Sequence, residues 1–186
     1  MSTVDFSRVN ELAKKYEPEM TRFLRDMIRI PSESCQEEGV IRRIKEEMER
    51  SASTGRNRQD GQRPRYIGSG PRLIAFDAHI DTVASATAPT GHSIPRSYED
   101  AETIGGRGAS DQEGGMASMV YAGKIIKELG LCPKDCTIVM VGTVQEEELR
   151  RPVLAVHHQR KRAEARNLWS STEPTDGGIV IAGQRR

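Results

Sequence analysis

One histidine and five carboxylates stand in four short segments of this chain: His79 and Asp81 in FDAHIDTV (76–83), Asp111 in GRGASDQEGG (106–115), Glu146 and Glu147 in VQEEE (144–148), and Glu173 in STEPTD (171–176). Together they read as a two-metal hydrolytic site. A dication at neutral pH takes neutral imidazole and ionised carboxylate, and its ligands must converge from separate loops. His79 and Asp81 are two apart, so in extended chain both project to one side. One can bind metal while the other accepts the second imidazole N–H and orients it. Glu146, Glu147 and Glu148 repel one another unless something neutralises them, and a bound dication would do so.

Each segment alone also has a plainer reading. An isolated HxD is a solvated turn, Asp111 is a helix cap, and three adjacent glutamates are an acidic turn. The glycine-rich run before Asp111 is not a P-loop, because no Lys-Ser or Lys-Thr follows Gly106 or Gly108. What joins the four segments is their order and their position at the ends of expected elements.

Those elements alternate. Phe6, Val9, Leu12, Tyr16, Met20, Phe23 and Met27 recur at three and four, predicting an amphipathic helix or helix pair stopped at Pro31. Val40, Ile41, Ile44 and Met48 repeat the signal. LIAFDAHI (73–80) and TIVMVGTV (137–144) read as strands buried on both faces, and Met116, Met119, Val120, Ile126 and Leu129 as the stripe of a helix between them, stopped at Gly130. This β-α-β order from 72 to 144 predicts an α/β fold, a mixed, largely parallel twisted sheet with helices on both faces. Such a sheet places its sites at the carboxyl ends of its strands.

With 186 residues, a net charge of +1 and a mean hydropathy of −0.62, the chain is expected to be a soluble, cytoplasmic protein. No window reaches the roughly 18 apolar residues of a membrane span, and MSTVDFSRVN lacks a signal peptide's apolar stretch. Neither a membrane nor a nucleic acid is expected as a partner. The basic stretch Arg150–Arg166 has no interleaved aromatics beyond the nearby Trp169. Cys35, Cys132 and Cys136 lack zinc-ribbon spacing and read as buried, reduced thiols.

The four segments resemble those of the zinc-dependent deacylase and exopeptidase family of acetylornithine deacetylase, succinyl-diaminopimelate desuccinylase and glutamate carboxypeptidase. GRGASDQEGGMASMVYAGKII and STEPTDGG are most similar to the subgroup linked to selenium metabolism. The likeness covers about 1–50, 66–83, 98–148 and 170–178. It implies a zinc exopeptidase-like catalytic domain and two divalent ions, zinc first, with cobalt or manganese as alternatives. His79 would be a ligand of one metal, Asp111 the bridge, Glu147 a ligand of the second metal and Glu173 of the first. Asp81 would steer His79, and Glu146 would be the general base. The implied reaction is hydrolysis of the amide of an N-acyl amino acid or small peptide by a metal-bridged water.

The chain also departs from that pattern. Family members are roughly twice as long, with a lid domain after the Glu173 region and a final histidine ligand near the C-terminus. Residues 1–186 therefore read as a partial catalytic domain without the lid, its dimer contacts or that ligand; His92, His157 and His158 do not stand in its context. A non-catalytic fragment binding at most one metal weakly is the alternative reading. Three stretches, 51–65, 84–97 and 149–169, fit neither the family nor a core. Possible codings of Gly55–Arg63, Ala84–Pro95 and Pro152–Lys161, read in another frame, spell VEIDRMGNV, IGDRANWTFDP and LCWQYIINE. We read these stretches as compensated frame shifts, with polar surface insertions as the alternative.

Overall fold

A computed structural model describes residues 6–51, 65–84, 97–100, 102–147 and 168–174. The three stretches read as frame shifts fall almost wholly outside these residues, as do His92, His157 and His158.

The apolar periodicity of the N-terminal segment forms one helix, α1 (Phe6–Arg29), which continues through Pro18 and buries Tyr16, Phe23, Met27 and Ile28. It is followed by α2 (Glu38–Arg50), which buries Val40, Ile44 and Met48. The strands are β1 (Arg65–Gly68), β2 (Arg72–His79), β3 (Ser97–Glu99), β4 (Ile104–Gly106), β5 (Cys136–Thr143) and β6 (Leu168–Ser171), with α3 (Glu113–Glu128) between β4 and β5. Four of them form a sheet in the order β1-β5-β2-β6, and β3 pairs with β4 separately. β2 runs parallel to both β5 and β6, while β1 closes the β5 edge antiparallel. The α/β expectation therefore holds, with one antiparallel pair in a mostly parallel sheet.

The register brings three strand ends level. His79 stands opposite Thr143, and Asp77 opposite Ser171, so the chain leaves β2, β5 and β6 along one edge. Loops leaving the carboxyl ends of parallel strands meet at one place, because the connecting helix returns the chain to the other edge. α3 makes that return, packing on β2 and β5 and against α1. Phe23, Met27, Val40, Ala78, Ile80, Met116 and Met140 fill the space between.

A charged cluster forms around the buried carboxylate of Glu47. Glu47 of α2 receives the Tyr121 hydroxyl at 2.6 Å and pairs with Arg43 at 2.8 Å and Arg50 at 3.3 Å. Arg43 also reaches Asp26 of α1 at 3.0 Å. Burial opposes the Glu47 carboxylate, and the bonds from Tyr121 and Arg43 outweigh it, holding its pKa below the usual value. Glu47→Ala would leave Arg43 short of a partner in a nearly closed site. A loss of about 2–4 kcal/mol in unfolding free energy is expected by urea denaturation.

Cys35, Cys132 and Cys136 are all free thiols. Only Cys136 is buried, as the first residue of β5. Cys35 and Cys132 are exposed, contrary to the sequence reading, because both lie in connections rather than in packed elements.

Candidate metal centre

β2 ends on His79 because its run of apolar residues carries the chain through the core to the sheet edge. The imidazole is 2 % exposed. Its Nδ1 meets the backbone carbonyl of Asp81 at 3.0 Å, and the Asp81 carboxylate stands farther off at 3.6 Å. Its Nε2 points at the Asp111 carboxylate at 2.9 Å and lies 4.0 Å from that of Glu146. The Asp81 main chain is thus the nearer group orienting the ring, where the sequence had pointed to the side chain.

The Asp81 carboxylate does something else. It receives the Ser34 hydroxyl at 2.6 Å, and the backbone N–H groups of Glu146 and Glu147 at 3.0 Å each. The preceding N–H, of Gln145, goes to the buried carboxylate of Glu37 at 3.1 Å. Three consecutive amides are therefore held by two carboxylates, and Gln145 takes a left-handed conformation with φ of 59°. This turn presents the Glu146 and Glu147 side chains to His79. Burial works against a charged Asp81, but His79, Ser34 and the two amides together pull its pKa down to about 2.

Asp111 sits in the glycine-rich turn just ahead of α3. The N-cap position falls to Gln112 without a side-chain capping bond, so the capping reading of Asp111 does not describe this helix. Asp111 is about half exposed, and the Asp111–Gln112 peptide is cis. Gly108 has φ of +84°, and a Cβ there would press on Glu113 and Thr82. Gly115 permits a second close approach, since a Cβ on it would stand 2.2 Å from Thr172 Oγ1. That contact, with the Thr172 N–H bonded to the Asp77 carbonyl at 3.0 Å, brings the segment bearing Glu173 to the same edge.

His79, Asp111 and Glu147 each offer a ligand atom, and these atoms lie within 4.8 Å of one another. Bonds of about 2.0–2.2 Å to a tetrahedral zinc put ligand atoms roughly 3.3 Å apart, so one imidazole and two carboxylates gathered within 4.8 Å would close up slightly around a shared dication. Glu173 belongs to the same field. Burial raises its pKa, His79 lowers it, and the charges of Asp111 and Glu146 raise it further. Glu147 is likewise raised, first by burial and then by Asp111. Such mutual crowding of carboxylates is relieved by a bound cation.

His79 shows the same demand from the other side. Burial disfavours its charged form, yet bonds to Asp81 and Asp111 and the charges of Glu173 and Glu146 lift its pKa to about 10. Without metal the imidazole is therefore protonated at neutral pH, and a metal must displace that proton from Nε2. Raising the pH removes the competitor, so zinc affinity should climb by about tenfold per pH unit between about pH 6 and 8 from His79 alone. Calorimetry in buffers of different ionisation enthalpy should report a released proton.

Glu113, the first residue of α3, is a buried carboxyl that the sequence reading passed over. Burial raises its pKa to about 8 against the opposing pull of Ser32 and His79, and neither oxygen has a well-formed hydrogen bond.

A model of peptidase family M20/M25/M40 matches residues 75–181, more than half of the chain and all four segments. The chain belongs to this family. It is 55% identical over 190 residues to the uncharacterized protein YgeY of Escherichia coli (strain K12), covering 98% of this chain and 45% of that protein. It is 26% identical over 124 residues to the [LysW]-lysine hydrolase of Deinococcus radiodurans, covering 67% of this chain and 32% of the hydrolase. The M20 chain thus spans less than half the length of these curated relatives. Among solved structures, human carnosine dipeptidase 1 superposes with a TM-score of 0.70 at 16% identity, covering 92% of this chain and 42% of that one. The M20 family metallo-carboxypeptidase Sso-CP2 of Sulfolobus solfataricus does so with a TM-score of 0.60 at 16% identity, over 83% of this chain and 37% of the other. At such identities the likeness establishes the M20 fold. No helix of the described residues is long and apolar enough to cross a membrane.

Proposed function

We propose that this chain carries part of the catalytic domain of a two-metal hydrolase that cleaves the amide of an N-acyl amino acid or small peptide. The observation that carries this reading is the convergence of His79, Asp111 and Glu147 from three separate strand-end loops to within coordinating distance. His79 and Glu173 would hold the first ion, Glu147 the second, and Asp111 both. Two bound dications would polarise the scissile carbonyl and lower the pKa of an attacking water.

The chain's own residues supply the rest. Asp81 fixes the imidazole through its carbonyl and holds the Glu146–Glu147 turn through its carboxylate. Glu146, about half exposed at the mouth of the site, takes the proton from the attacking water and passes it to the leaving amine. The likeness to the deacylase subgroup linked to selenium metabolism favours an acylated amino acid over a longer peptide. We assign the location to the cytoplasm. Neither nucleic acid nor membrane enters this reading.

Incubating the zinc-loaded chain with N-acetyl and N-succinyl amino acids and with dipeptides should release free amine. A chelator should stop the release and added zinc restore it. Release that survives complete removal of metal would overturn the proposal, as would inertness of the loaded chain toward every substrate.

A further inference from the structure

Gln112 joins the segments that carry the proposed ligands of the first metal, although it is not one of them. Its side chain is fully buried at the edge of the centre. Oε1 accepts the backbone N–H of His79 at 2.7 Å, and Nε2 faces the Ser171 hydroxyl in a long contact of 3.5 Å. Ser171 closes β6, and Glu173 follows it two residues later. Gln112 directly follows Asp111, so one side chain meets the end of β2, the start of α3 and the end of β6. A carboxamide can do this because it holds an acceptor and two donors at one tip, whereas an apolar side chain of equal length would leave the His79 N–H buried and unpaired.

Glu147 is held by different means. Its turn hangs on Asp81 and Glu37 and makes no hydrogen bond with Gln112 among the described residues. Asp81 thus serves both sides, its carbonyl on the His79 ring and its carboxylate on the Glu147 turn, whereas Gln112 reaches only the His79 and β6 side.

We infer that Gln112 is a positioning residue for the first metal, fixing His79 and Glu173 relative to each other without bearing on the ligand peculiar to the second. The inference rests on the two-metal reading proposed above. Gln112→Met keeps the length of the side chain and removes both polar contacts. Gln112→Asn keeps the amide but falls one methylene short of its partners.

Zinc binding to the metal-free chain, followed by competition with a chromophoric chelator at fixed pH, separates the two. Glu173→Gln and Glu147→Gln serve as references for loss of the first and the second ion. Q112M and Q112N should each reproduce the Glu173→Gln pattern, with one binding step weakened by about 10–100-fold and the other unchanged. Equal weakening of both steps, weakening of neither, or failure of both variants to keep the wild-type circular dichroism would overturn the inference and leave the metal reading standing. Absence of any zinc binding by the wild-type chain would instead bring down the metal reading, and this inference with it.

Discussion

Glu146→Gln is expected to lower kcat of the zinc-loaded chain by about 10²–10⁴-fold while leaving its zinc content unchanged. The substitution is nearly isosteric and removes only the capacity to take a proton. The turn should survive it, because Glu146 is held through its backbone N–H, at 3.0 Å from Asp81 Oδ1. Its side chain lies 4.0 Å from His79 Nε2 and about half in solvent, placed to meet a water at the mouth rather than to fill the core. Steady-state kinetics with metal analysis of the same sample checks both halves. Loss of zinc together with activity would make Glu146 a ligand, and unchanged kcat would remove it from the mechanism.

Asp111→Ala is expected to have the larger effect on metal. If Asp111 bridges, its loss weakens both ions at once, by at least about 100-fold, beyond the 10–100-fold typical of residues standing behind ligands. The same substitution removes the partner of His79 Nε2 and one of the bonds that lift the imidazole pKa to about 10. The metal-free variant should therefore titrate His79 at lower pH than the wild type, which nuclear magnetic resonance of the imidazole protons would register. Loss of one ion with retention of the other would assign Asp111 to a single site.

Much of the frame was legible in the chain. The runs 73–80 and 137–144 became β2 and β5 within a residue at each end, because both are mostly apolar stretches. The stripe from Met116 to Leu129 became α3, which starts earlier than the stripe does, at Glu113, and ends at Glu128 with Leu129 as its C-cap. β1 and β6, of four residues each, are too short to carry a period of their own and exist by pairing with β5 and β2.

The candidate ligands could be picked out from the sequence, and the groups that hold them could not. His79, Asp111 and Glu147 announce themselves by residue type at strand ends. Ser34 and Glu37 do not, since a Ser and a Glu after Pro31 look like any polar connection. Their roles come from contacts with Asp81 and Gln145, 47 and 108 positions away along the chain. Gln112 was hidden for the same reason, its partner His79 lying 33 positions back. Asp81 was singled out for steering His79, and the nearer contact of the ring is with its carbonyl. A pattern of residue types cannot distinguish a side-chain bond from a main-chain one two atoms away. Hydrogen-bond partners far apart in sequence leave no periodic trace, whereas apolar faces do.

The most direct test of the central claim is the zinc content of the purified wild-type chain after equilibration with zinc and removal of the excess. Two ions per chain are expected, bound more tightly as the pH rises toward 8. A chain that retains no zinc under these conditions would contradict the account.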